Sequence, residues 1–117
     1  MKTFYLLILF IGYFHLSSLS QGNLQFNQVL NIEFPSTGTT VTVPSGKVWK
    51  LENCMITSTN FYACMVVNGQ IYYMRQHNTS SSAWDNFPFW FAEGKTITFG
   101  GGCSPGIVSI IEFNVVP

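Results

Sequence analysis

Charge is scarce in this sequence. Five Lys/Arg and five Asp/Glu among 117 residues cancel to zero, and charged residues make up only 9% of the chain. Beyond the first twenty positions the basic residues are Lys47, Lys50, Arg75 and Lys95, which form no run. Phosphate backbones are bound by clustered Lys and Arg, so this distribution argues against a nucleic-acid partner. Histidine is nearly missing, since His15 falls in the leader described below and leaves His77 alone. The cysteines Cys54, Cys64 and Cys103 have no C-x₂₋₄-C spacing, so no metal site is assigned. The carboxylates Glu33, Glu52, Asp85, Glu93 and Glu112 are scattered, and no motif selects a pair for acid–base work. No catalytic residue and no cofactor follow from this inventory, and a hydrolase ranks last among the function classes.

What is present begins with an export signal. Lys2 supplies a positive start, Phe4 to Phe14 is almost wholly apolar, and Ser18 and Ser20 are small residues at −3 and −1 for cleavage before Gln21. The apolar run is shorter than the roughly 20 residues a membrane-spanning helix requires. Residues 1–20 therefore read as a cleaved signal peptide and 21–117 as one secreted or periplasmic domain with no membrane span after processing. That length suits one hydrophobic core and is too small for two.

Nothing beyond the leader has helical periodicity. Apolar residues alternate, and turn residues interrupt them every eight to twelve positions or so, the rhythm of a sandwich or barrel. Leu24 to Phe34, Thr39 to Val43, Lys47 to Ile56, Phe61 to Val67, Gln70 to Met74, Phe87 to Ala92, Lys95 to Phe99 and Ile107 to Val116 read as about eight strands. Asn68-Gly69 between two β-rich runs predicts a two-residue hairpin, because both positions of that turn take positive φ. Val43-Pro-Ser-Gly-Lys and Phe91-Ala-Glu-Gly-Lys repeat one pattern of strand, turn and strand. Two such units indicate related halves, as in a jelly roll. The fold class is thus all-β, an antiparallel, jelly-roll-like β-sandwich. Alternation places Trp49, Leu51 and Met55 on one face of their strand, with Lys50 and Glu52 on the other. By the same reading Ile111 and Phe113 face the core and Glu112 faces water.

The opening N-L-Q-F-N-Q-V, V-P-S-G-K-V-W-K at Val43 to Lys50 and I-I-E-F-N-V-V-P at Ile110 to Pro117 resemble a group of small exported Gram-negative bacterial proteins of uncharacterised function. The likeness spans the domain and implies export and a β-sandwich. Its motifs are turns and strands, so it transfers no catalytic residue.

Three cysteines in an oxidising compartment predict one disulfide and one spare thiol. Three pairings are open. Cys54–Cys64 is favoured, because they sit on strands joined by the loop at Thr57 to Asn60 and can meet if both side chains share a face.

The longest polar segment is Gln76 to Asn86, and long loops on small domains often carry function. Trp84 stands alone in it among polar residues. Asp85, Asn86, Arg75, His77 and Tyr73 lie close by in sequence. An aromatic face for stacking, with amide, carboxylate and guanidinium groups for hydroxyls, fits a surface glycan or similar polar ligand. Against this, Trp84 can instead pin the loop to the domain, and Phe87, Phe89 and Phe91 read as core positions beside Trp90. Asn78-Thr79-Ser80 matches a glycosylation sequon. A binding module ranks first, and a self-assembling structural or cell-surface protein, a homo-oligomer, ranks second. Processing between Ser20 and Gln21 is the first testable outcome: N-terminal sequencing of exported protein should begin at Gln21. A chain retaining Phe4 to Phe14 would refute it.

Overall fold

A computed structural model of the chain describes residues 23–57, 62–76 and 84–117, so the leader reading lies outside the described residues. Nine strands run through them: β1 (Asn23–Phe34), β2 (Thr39–Thr42), β3 (Lys47–Ile56), β4 (Tyr62–Val67), β5 (Gln70–Gln76), β6 (Trp84–Asp85), β7 (Phe89–Ala92), β8 (Thr96–Phe99) and β9 (Gly106–Val116). They form a four-stranded sheet of order β1-β9-β3-β7 and a five-stranded sheet of order β2-β8-β4-β5-β6, with every pairing antiparallel. The chain changes sheet at every connection except β4–β5 and β5–β6. That alternation produces the two interleaved Greek keys of a jelly roll. The strand beyond the expected eight is β6, two residues long and too short to leave a periodic signal.

Local chemistry sets the turns. Asn68 and Gly69 have φ of 52° and 74° and join β4 to β5 as a two-residue turn. The repeated Gly-Lys turns are sheet-changing connections that lie side by side. The Val43 N–H donates to the Lys95 carbonyl and the Gly94 N–H to the Val43 carbonyl, each at 2.9 Å.

Between the sheets, Leu51, Val108 and Ile110 from one layer meet Met65, Met74, Ile97 and Phe99 from the other, all fully buried. Each such side chain contributes roughly 1.5–3 kcal/mol by leaving water. Trp49 joins this core as expected, and Phe87, Phe89 and Phe91 pack against it.

Three inward-facing expectations fail, for Ile111, Phe113 and Met55, and one outward-facing one, for Glu112. On β9 the buried positions are Gly106, Val108, Ile110 and Glu112, so Ile111 and Phe113 point outward and are only half-buried. On β3 the register shifts between Leu51 and Asn53. This bulge lets Cys54 follow Leu51 into the core and turns Met55 outward, where it is 60% exposed.

Glu112 is buried instead of facing water, with 3% of its surface exposed. Its Oε2 accepts a hydrogen bond from Trp49 Nε1 at 2.7 Å. Its Oε1 accepts from Asn27 Nδ2 at 2.7 Å and from Gln28 Nε2 at 2.9 Å. Burial alone would raise the carboxyl pKa, but these three donors and the nearby Lys47 charge outweigh it and hold the group below its ordinary value of 4.5.

The disulfide joins Cys64 to Cys103, and Cys54 is a free, buried thiol. The favoured Cys54–Cys64 pairing is therefore wrong, although one bridge and one thiol is the observed state. Cys54 sits in the inter-sheet core on the four-stranded layer. Cys64 alternates with the core residues Ala63 and Met65 on the other layer, so its side chain turns away from that core, toward Cys103. Burial pushes the Cys54 pKa up to about 11, against a smaller lowering by Arg75.

Two measurements follow. Glu112 has a depressed folded pKa, so its stabilisation is present above the unfolded value of about 4.5 and is lost as pH falls through the folded value. Glu112→Gln should lower stability at neutral pH by roughly 1.5–3 kcal/mol, the range for bonds to a charged group. It should also flatten the acid limb of urea-unfolding stability against pH, and an unchanged limb would refute the cage. In thiol titration, native protein at pH 8 should not react, and denatured unreduced protein should release one thiol. Cys103→Ser should cost roughly 2–5 kcal/mol.

Candidate functional site

The outer face of the five-stranded sheet gathers an aromatic group at its β4-β5-β6 end. A two-residue hairpin turn sets Val67 opposite Gln70 and, counting back, Cys64 opposite Tyr73. A register shift at Ala63/Cys64 then places Tyr62 opposite Gln76, and β6 places Trp84 opposite Gln76 from the other side. Directly paired residues share a face, so Tyr62, Tyr73, Gln76 and Trp84 lie on one surface. The Tyr62 and Tyr73 rings are 5.3 Å apart and tilted by 58°. Gln76 Nε2 donates to the Tyr62 hydroxyl at 3.3 Å. Tyr62, Tyr73 and Trp84 are 43, 48 and 37% exposed, enough to offer a ring face to a ligand.

A depression of about 400 Å³ adjoins the two tyrosines, with Ser36, Gly102, Cys103, Ser104 and Pro105 forming the rest of its wall. Its far side is the segment after β8. The Cys64–Cys103 bridge holds that segment against β4. The Gly100 N–H donates to the Cys64 carbonyl at 2.9 Å and the Ser104 N–H to the Tyr62 carbonyl at 3.1 Å. Gly100 has a φ of 87°, and a Cβ there would come within 2.6 Å of the Pro35 carbonyl oxygen, so this close approach requires glycine. Farther along the same face Thr40 pairs with Thr98 and Thr42 with Thr96 through hydroxyls at 2.8 and 3.0 Å.

The residues singled out from sequence separate into groups. Tyr73 and Trp84 come together on this surface. Arg75 is committed elsewhere: its Nη1 donates to the Cys54 carbonyl at 2.9 Å and to Asn53 Oδ1 at 3.3 Å, tying one sheet to the other. Asn86 caps β5, with Nδ2 donating to the Tyr73 carbonyl at 3.1 Å and its backbone N–H to the Met74 carbonyl at 3.0 Å. Asp85 is exposed and pairs with Arg75 across the strands, one position off the aromatic surface. His77 and the Asn78-Thr79-Ser80 sequon lie outside the described residues. Tyr62 and Gln76 were missed. The Asn-Gly hairpin count points to Tyr62, because it places Tyr73 opposite Cys64, two residues along from Tyr62. Gln76 depends on the bulge and left no sequence signal.

The surface carries hydroxyls, an amide and ring faces, and none of its named side chains is charged. Among the described residues no three His, Cys, Asp or Glu side chains converge as a metal site would require. No helix of the described residues is long and apolar enough to cross a membrane. No protein-family model, curated protein or solved structure significantly matches the chain.

Proposed function

We propose that this chain is a small exported binding module that holds an uncharged glycan on the outer face of its five-stranded sheet. The carrying observation is the group Tyr62, Tyr73 and Trp84, three half-exposed aromatic side chains on one surface beside a shallow depression. Sugar rings present apolar C–H faces that pack on aromatic rings, and their hydroxyls need donors and acceptors at the edge. Tyr hydroxyls and the Gln76 amide supply these. The lack of charge on the surface favours neutral sugars over phosphorylated or nucleic-acid ligands. A disulfide on the rim of the depression suits an oxidising, extracytoplasmic location.

A glycan-array screen followed by titration of a retained sugar tests the reading. Tyr73→Ala and Trp84→Ala should each weaken binding by about tenfold or more, near 1.4 kcal/mol. Each should lower the melting temperature only modestly, because neither side chain belongs to the buried core. Tyr72 is the control: it is next in sequence, 47% exposed, and opposite Met65 rather than on the aromatic surface. Tyr72→Ala should leave the affinity unchanged. Retention of no glycan, or equal losses from Tyr72→Ala and Tyr73→Ala, would refute the assignment.

A further inference from the structure

We infer that a second copy of the chain covers the outer face of the β1-β9-β3-β7 sheet, packed back to back across a twofold axis. An antiparallel sheet with one solvated face normally turns polar residues outward. The five-stranded sheet follows this at its β2-β8 end, where four threonines pair, with Val66 and Ile71 as aliphatic neighbours farther along the face. The four-stranded sheet does not. Its register builds apolar rows across the outer face: Leu24 beside Val115, then Phe26, Phe113 and Val48, then Val29, Ile111, Lys50 and Trp90. The next row, Asn31, Ser109 and Asn53, is polar, and Ser109 Oγ donates to Asn31 Oδ1 at 2.9 Å. An apolar centre with a polar margin is the anatomy of an interface.

Size and charge identify the occupant. Leu24, Phe26, Val29, Trp90 and Val115 are 45–64% exposed. At roughly 150–250 Å² for a large aromatic side chain and less for an aliphatic one, they and their half-buried neighbours present on the order of 600 Å². That reaches the upper end of what an ordinary monomer leaves open. With its margin the face approaches the roughly 800 Å² per partner of a stable complex. The one ion pair on it, Lys50 with Glu52, cancels itself, and Lys50 Nζ lies 5.5 Å from the Trp90 ring centroid. The apolar rows therefore carry no net charge to select an acidic or basic partner or an anionic lipid surface. Glu33, the remaining carboxylate of the face, lies beyond the polar row, so the rows complement a copy of themselves. A twofold pairing uses the same patch on both subunits. The Trp90 and Phe113 rings are already stacked at 5.9 Å, which reduces the ordering cost of association.

Sedimentation equilibrium of the chain across a concentration series tests the inference, and no glycan is needed. The expected result is a mass of two chains that falls to one on dilution. Phe26→Asp and Trp90→Arg, at opposite ends of the patch, should each raise the dissociation constant by at least ~100-fold while the far-UV circular dichroism stays that of a β-protein. Ile71→Asp changes a side chain that is 55% exposed on the other sheet, and it should leave the two-chain mass intact. The inference is overturned by a single-chain mass at every concentration, or by assembly that grows past two copies. Dissociation by Ile71→Asp but not by Phe26→Asp and Trp90→Arg would also overturn it, as would a monomer that partitions onto neutral phospholipid vesicles.

Discussion

The Glu112 carboxylate ties three strands at one buried point. Its two oxygens accept from Asn27 and Gln28 on β1 and from Trp49 on β3, while Glu112 itself sits on β9. Leaving the buried Trp49 donor or the Glu112 carboxylate without a partner would cost roughly 1–3 kcal/mol. The more exposed Asn27 and Gln28 amides add β1 to the same point, so the three strands share one register. Asn27 matters most here, because it is the residue left over where the β1–β9 register shifts between Phe26 and Gln28. After the bulge Gln28 turns its amide to Glu112, and Leu30, Ile32 and Phe34 face the core. On the other side Leu24 and Phe26 face out. The buried carboxylate therefore fixes where β1 changes face, and with it the composition of the sheet's outer surface.

A second polar link connects the two layers. Arg75 reaches from β5 to the Cys54 carbonyl on β3, and the register shift at Ala63/Cys64 lets it do so while Tyr73 stays on the outer face. The same shift moves Gln76 into line with Tyr62 and Trp84. One bulge thus supplies both a structural tie and the alignment of the aromatic surface. This is a common role for bulges, which re-aim side chains.

Much of the fold was legible in the residues because its signals are local. Asn68-Gly69 needs positive φ at both positions, and the two Gly-Lys turns mark adjacent sheet crossings. Burial parity was harder to read on β9. In Ile107 to Val116 both alternating sets contain large apolar residues, so a period-two count cannot decide which side meets the core. Ile111 and Phe113 were placed inward for that reason, and Glu112 outward because it is charged. The structure reverses all three. Bulges cause the remaining errors. Met55 and Cys54 exchange sides after the β3 shift, and because Cys64 on β4 faces outward while Cys54 faces the inter-sheet core, the two thiols do not meet. For the candidate site, Tyr73 and Trp84 were visible as aromatics near a polar segment, but the partners of Arg75 and Asn86 are carbonyls brought near by tertiary pairing, which no single-sequence pattern encodes.

The two outer faces divide the chemistry that a nearly uncharged chain has available. One carries threonine hydroxyls, an amide and half-exposed tyrosines beside Trp84 and Ile71, a mixture of polar groups and ring faces. The other carries Phe26, Val29, Trp90 and Val115, which gain by leaving water. Because the sheets stack face to face, these surfaces point in opposite directions. Pairing through the apolar face, as inferred above, would leave two copies of the tyrosine surface directed outward on opposite sides of the dimer. If both proposals hold, two weak sites on one rigid body would engage a repetitive ligand with an avidity neither site has alone, provided the ligand can reach both. Opposed sites cannot both meet one flat surface, so this geometry favours bridging two surfaces or two glycan chains over clamping one.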